Sequence, residues 1–276
     1  MTEIDELYVV ARRVLLDALE AIGEHRDSTI LVGSQAIYLR VGEADIAVAP
    51  YTTDGDLAID PTALAATPRL EEAMRGAGFQ PMSEKSVGIW VTSRVTAQNP
   101  DTKVEIDLLV PTAVSPDKKG RSPRLPNHDL RAARRVDGLD GALVDFDLMS
   151  LGALDPADTR KLHVRVAGPA ALLIAKAHKI NDRVGTGRES DKDALDVFRI
   201  LRGIETKDLV RRYKQILADP RSQPVAVHGR ALLAEQFGKA SGPGIAMAVR
   251  STRSLMDPNE VAASCEALAQ AMLEGL

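Results

Sequence analysis

Thr53-Asp54-Gly55-Asp56-Leu57-Ala58-Ile59 is the stretch on which the fold turns. Along a strand every second side chain points to the same side, so Asp54 and Asp56 share one face while Gly55 and Leu57 share the other. Acidic side chains disfavour strands, so carboxylates placed this way among strand signals point to chemistry rather than packing. Oxygen ligands paired like this suit Mg²⁺, which prefers a few carboxylates and the phosphates of a substrate to an all-protein cage.

Upstream, Ile4, Leu7, Ala11, Val14, Leu15, Ala18, Leu19 and Ile22 recur every three or four residues, which predicts an amphipathic helix ending near Gly23 and covering one face of a sheet. Thr29 to Val32 reads as a short strand, and Gly33-Ser34 opens a second helix through Ala36, Ile37 and Leu39. Pro50 to Thr53 reads as a loop feeding a strand over Asp56 to Ile59, which Pro61 ends, with Asp60 as a turn former. Leu64 to Ala77 reads as a helix closed by Gly78, with Pro68 near a start or break, and Val87 to Ser93 and Val104 to Val110 as strands. The latter, Val104-Glu105-Ile106-Asp107, places Glu105 and Asp107 on one face.

From Ser115 to Arg135 the composition shifts to Pro, Gly and the basic residues Lys118, Lys119, Arg121, Arg124, Arg131, Arg134 and Arg135, which predicts a long loop or lid. Leu143 to Leu148 and Lys161 to Val166 alternate as later strands, and after Gly168-Pro169 the pattern is helical to the end. The expected fold is α/β (α+β), a mixed sheet in residues 1–167 followed by a helical domain in residues 168–276.

A chain of 276 residues exceeds one average domain and can bury a sizeable core. Its four Phe, four Tyr and one Trp leave that core to aliphatic residues and make base stacking an unsuitable main binding mode. Cys265 stands alone among apolar neighbours at helical spacing, which excludes an intramolecular disulfide and reads as a small core residue. Acidic residues at the start and the lack of a long apolar run predict a cytoplasmic protein without a membrane span. A net charge of −4 gives no global pull on nucleic acid, so any RNA contact must come from a local basic surface, for which Lys118 to Arg135 is the candidate.

Gly33-Ser34 at a helix start suits a phosphate, because glycine permits close backbone approach and the first N–H groups attract an anion. Ser34 alone would more simply be an N-cap; the aspartates downstream favour the phosphate reading. Asp54, Asp56 and Asp107 are the candidate metal ligands, with Glu105 as a possible substitute. On the helix from Ala170 to Arg183, Lys176, Lys179 and Arg183 form one basic stripe suited to phosphates, and Asp193 or Asp196 could pair with Lys176. No His/Cys pair has zinc spacing, and Ser34 has no evident His partner for serine hydrolysis.

Gly33-Ser34, the acidic Thr53-Asp54-Gly55-Asp56 about twenty residues on, Glu105-Ile106-Asp107, Ala175-Lys176 with Arg183, and Asp191-Lys192-Asp193-Ala194-Leu195-Asp196 together resemble the AbiEii family of nucleotidyltransferases, which includes the MenT-type toxins. The resemblance runs from about residue 29 to about residue 202. It implies a nucleotidyltransferase fold in residues 1–167, Gly33 and Ser34 at the phosphate turn, Asp54 and Asp56 on metal, and Lys176 and Asp193 as the late essential pair brought to the cleft by residues 168–276. It further implies Mg²⁺, a nucleoside triphosphate (NTP) as substrate, the tRNA 3′ end as acceptor, and a cognate antitoxin as partner in a toxin–antitoxin system. The sequence departs from the family in Gln35-Ala36-Ile37 and in the longer spacing from Arg183 to Asp193, which makes Asp196 a rival for the late role. A small-molecule or protein-hydroxyl acceptor, and a catalytically silent binding module, are the competing readings.

Overall fold

The structure, a computed structural model, describes residues 6–42, 52–97, 99–117, 119–187, 190–252 and 255–276. The start of the first helix at Ile4, loop residues Pro50 and Tyr51, Lys118 and Arg188 lie outside the described residues. In chain order the elements are α1 (Glu6–Ala21), β1 (Thr29–Val32), α2 (Gly33–Val41), β2 (Asp54–Ile59), α3 (Leu70–Gly76), β3 (Gln80–Pro81), β4 (Ile89–Arg94), β5 (Thr102–Pro111), β6 (Arg134–Val136), β7 (Phe146–Gly152), β8 (Lys161–Ala167), α4 (Pro169–Arg183), α5 (Asp191–Gly203), α6 (Thr206–Ala218), α7 (Gln223–Phe237), α8 (Pro243–Thr252) and α9 (Pro258–Glu274). Contacts divide the chain into two compact units, the first comprising Met1–Gln35, Tyr51–Val136 and Asp147–Val166, the second Ala36–Pro50, Asp137–Phe146 and Ala167–Leu276. The fold is mixed α/β, as the order of elements implied.

The first unit is one mixed sheet in the order β3-β4-β5-β2-β1-β8-β7. β1 runs antiparallel to β2 and parallel to β8, and β2 runs parallel to β5. The ten-residue β5 is paired by β2 along one edge and by β4 and then β6 along the other. A strand this central is buried on both faces towards its end, and Leu108, Leu109 and Val110 are all buried. α1 covers the face opposite the aspartates, where a Cβ on Gly55 would meet Ile106 Cδ1 at 2.8 Å and Leu15 Cδ1 at 3.1 Å. The glycine between Asp54 and Asp56 thus lets α1 lie close to the sheet.

The structure departs most from the sequence reading in three segments. The helix expected from Leu64 begins only at Leu70, since Pro68 bars helical geometry at Thr67. The strand expected over Leu143 to Leu148 begins at Phe146; residues Asp140–Leu143 form a 3₁₀ turn, and buried Asp145 accepts hydrogen bonds from Ala171 N–H (3.0 Å) and Arg212 (2.8 Å). Residues 115–135 are no free lid: Leu125, Ala132 and Ala133 are buried, the Trp90 indole N–H donates to the Ala132 carbonyl (2.9 Å), and Arg134 to Val136 join the sheet as β6. The short strands β3 and β6 carry no alternation long enough to read.

The second unit holds the helices α4 to α9 and the greater part of α2. α4 packs on α5 and α7, α5 on α8, and α9 on α7 and α8. Leu195, Phe198, Tyr213, Phe237 and Met272 are buried there, and Cys265, also buried, is a core residue whose thiol pKa burial pushes up to about 12. Among the described residues no helix is long and apolar enough to cross a membrane.

Candidate active site

The sheet register assembles the acidic face. Asp54 pairs in register with Glu105 and Asp56 with Asp107, so four carboxylates from two parallel neighbours stand on one side of the sheet. All four are half-buried. The crowding raises the pKa of two of them. Burial, then the Asp54 charge, lifts Glu105; burial, reinforced by Asp54 and Glu105, lifts Asp107 although the Arg134 guanidinium opposes it. Thr52 donates its hydroxyl to Asp54 Oδ1, which fixes that side chain.

Gly33 sits against this face with φ of +70°, in the left-handed region that favours glycine. Beyond it Ser34 lies buried in the first turn of α2. Gln35 is buried too; its amide donates to the Asp54 carbonyl (3.1 Å) and its Oε1 accepts from Arg12 Nε (2.9 Å). Arg12, itself buried on α1, also donates to the Tyr8 hydroxyl (2.8 Å) and the Gly152 carbonyl (3.1 Å). A chain of polar contacts thus runs from α1 to the backbone of Asp54. Neither Arg12 nor Gln35 was singled out for the site, although an arginine beside the apolar stripe of the first helix was a signal.

Arg134 corrects the reading of the basic loop. Its guanidinium pairs with Asp107 Oδ2 instead of facing RNA. Arg131 bonds the Glu84 carbonyl and lies 3.8 Å from Asp129, and Arg135 donates to the Asp117 carbonyl (3.3 Å). Among the described residues of this segment Lys119, Arg121 and Arg124 are exposed, as is Arg131. Its backbone is held by Arg135 N–H to the Arg121 carbonyl (2.8 Å) and Arg124 N–H to Asp117 Oδ2 (2.7 Å).

In the second unit the expected basic stripe is an ionic cluster. Lys176 lies 2.9 Å from Asp193 and 2.8 Å from Asp196, so both rival aspartates pair with it. Arg183 and Lys179 also approach Asp193, at 2.9 Å and 3.5 Å. Arg199 pairs with Asp196 (3.0 Å) and lies over the Tyr38 ring at 5.1 Å. Lys176 is only 4% exposed, whereas Lys179 and Arg183 are 39% and 32% exposed. Burial alone would lower the Lys176 pKa, but Asp196 and Asp193 outweigh it and hold the lysine above its usual value. Burial likewise opposes ionisation of Asp193, and Lys176, Lys179 and Arg183 overcome it and hold its pKa low. Lys176 is therefore no exposed member of a stripe. Two carboxylates neutralise it inside the fold, and Lys179 and Arg183 alone carry the stripe's charge to the surface.

The donor set of the acidic face suits a hard divalent cation such as Mg²⁺, which takes oxygen ligands. Asp107 Oδ1 is buried without a hydrogen-bond partner among the described residues, so one ligand atom is available there. Among the described residues no three His, Cys, Asp or Glu side chains form a ready-made metal cluster.

No family model matches the chain, and no curated protein does. Among solved structures it is similar to an antigenic nucleotidyltransferase-like protein from Paracoccidioides brasiliensis, at a TM-score of 0.42 and 15% identity over 82% of this chain and 94% of that one. A likeness at that level carries no argument about what this chain does.

Proposed function

We propose that the protein is a nucleotidyltransferase that moves a nucleoside monophosphate from an NTP to an RNA hydroxyl. The observation that carries the reading is the register itself: Asp54 opposite Glu105 and Asp56 opposite Asp107 on parallel strands, beside a helix that opens at the positive-φ Gly33. Such a face holds oxygen ligands next to a helix start suited to phosphate. Bound at this face, Mg²⁺ would supply a counter-charge for the triphosphate and would make the attacking hydroxyl more acidic. Asp54, Asp56 and Asp107 would hold it. Gly33 and Ser34 cradle phosphate oxygens. The acceptor hydroxyl oxygen bonds to the α-phosphorus as the bond to the bridging oxygen breaks, its proton passes to the carboxylate face, and pyrophosphate leaves.

Lys179 and Arg183 are assigned to phosphate binding, as the partly exposed cations of their cluster, and Lys176 and Asp193 to positioning them. RNA as the acceptor class is supported by the exposed Lys119, Arg121 and Arg124 on an anchored backbone. The tRNA 3′ end, and a role as the toxin of a toxin–antitoxin pair restrained by an antitoxin, rest on the resemblance to the AbiEii family.

The test incubates the protein with Mg²⁺, each labelled NTP in turn and total tRNA, beside Asp56→Ala, on a denaturing gel. Label in tRNA with the wild type alone is expected. Label that persists at wild-type level in a folded Asp56→Ala would remove the carboxylate assignment.

A further inference from the structure

We propose that Arg134 is a built-in counter-cation of the carboxylate face, holding Asp107 until a divalent cation displaces it and so setting the cation affinity of the site. The inference rests on the nucleotidyltransferase reading of that face. Its geometry is independent of it.

Backbone pairing sets where the Arg134 side chain starts, and so brings it within reach of Asp107. β6 pairs in parallel with β5, placing Arg134 opposite Leu109 two residues beyond Asp107. Gly88, at φ of +69°, lets the strands close: a Cβ there would stand 2.5 Å from the Arg134 nitrogen and 2.6 Å from the Leu108 carbonyl oxygen. Gly88 also donates its N–H to the Arg131 carbonyl (2.9 Å) and accepts from Leu108 N–H (2.8 Å). The residue at 134 is thus delivered to the acidic face by three hydrogen-bonded backbone segments.

The pair is incomplete in a telling way. A guanidinium and a carboxylate in a bidentate pair satisfy two donors and two acceptors together. Here the link runs to Asp107 Oδ2, while Asp107 Oδ1 and Arg134 Nε are both buried without a hydrogen-bond partner among the described residues. The guanidinium sits at Asp107 on a face that also carries Asp54, Asp56 and Glu105. A divalent cation brings twice the charge and can use the idle Oδ1. It must also work against the arginine already at Asp107, because like charges at this range repel.

The experiment titrates Mg²⁺ alone, without nucleotide, into wild type and Arg134→Gln by calorimetry, with melting curves in EDTA and in Mg²⁺. In EDTA the variant is expected to melt below wild type, because the carboxylates lose their counter-cation. Its Mg²⁺ affinity is expected to rise by about tenfold, and its gain in Tm on Mg²⁺ to exceed that of wild type. Equal or weaker Mg²⁺ binding by the variant, with wild type binding normally, overturns the role of Arg134 and leaves the metal reading standing. Absence of any Mg²⁺ response in both proteins overturns the two together. Should Arg134→Gln not fold, wild type decides: its Arg134 Nε–H resonance, assigned by loss in Arg134→Lys, is expected to shift on Mg²⁺ saturation, and a resonance unmoved while Mg²⁺ binds overturns the proposal.

Discussion

Gly33 and Asp56 are packed so closely that a Cβ on the glycine would stand 1.9 Å from Oδ2 of the aspartate. Two constraints coincide there, a backbone at φ of +70° and an Asp56 side chain whose Cβ as well as its carboxylate would lie within 2.9 Å of the new atom. Gly33→Ala is therefore expected to cost about 1–3 kcal/mol from the backbone conformation alone, and to push the Asp56 carboxylate aside. Thermal melts and the labelling assay check it: Tm should fall and transfer should drop further than the loss of folded protein explains. A variant with wild-type Tm would show that this contact does not constrain the turn.

Lys176 is expected to matter for folding before it matters for phosphate. Replacing it with Met takes the buried cation from between Asp193 and Asp196 and leaves Arg183 and Lys179 at the first and Arg199 at the second, so the loss should fall below the roughly 3–5 kcal/mol of a buried charge left with no partner. Adding Asp193→Asn to Lys176→Met should recover part of the loss, since it removes one of two neighbouring carboxylates that no buried lysine then separates, Arg183 and Lys179 being only partly buried. Denaturant melts of the single and double variants measure this. Lys176→Met at wild-type stability would instead leave the lysine's charge available for a ligand.

What was legible in the sequence follows from where periodic patterns are long. Asp54, Asp56 and Asp107 declare themselves as charges inside strand-like runs, and their shared face follows from alternation along β2 and β5. The register that puts Glu105 beside Asp54 comes from pairing between distant segments, which no local pattern encodes. Arg134 shows the limit most plainly. In sequence it is one more cation in a basic loop, because β6 is three residues long and its pairing with β5 is what turns the side chain to Asp107. For Lys176 the helical stripe was legible, but its burial depends on α5 bringing two aspartates across.

Trp90 tests the claim that residues 115–135 are anchored. Its indole N–H donates to the Ala132 carbonyl (2.9 Å), and the side chain is buried. Trp90→Phe keeps an aromatic ring but leaves a buried carbonyl unpaired, at a cost of about 1–3 kcal/mol. Limited proteolysis in the region of Lys119 to Arg131 should accelerate in the variant more than cleavage in the second unit. Equal rates in both regions would place the anchor elsewhere.

His128 gives the first unit an acid-sensitive joint. Its Nδ1 accepts the Leu70 N–H (3.1 Å), and its Nε2–H faces the Ala65 carbonyl (3.1 Å), so the ring closes the segment before α3 only while neutral. Burial lowers its pKa, with the neighbouring His25 adding to the effect, while the Ala65 carbonyl and Glu71 work the other way. A histidine held below its unfolded value binds fewer protons when folded than when unfolded. Its contribution is therefore fully present above the unfolded value, about 6.5, and is lost as pH falls through that value towards the folded one. The carboxylates held at low pKa, such as Asp193, also lose stability on acidification, at lower pH and equally in a His128 variant. His128→Asn keeps an acceptor for the Leu70 N–H and cannot titrate. Its Tm is expected to fall less than that of wild type between about pH 7.5 and about pH 5.5. Parallel Tm profiles for the two proteins across that range would mean that the ring contributes nothing that depends on its proton.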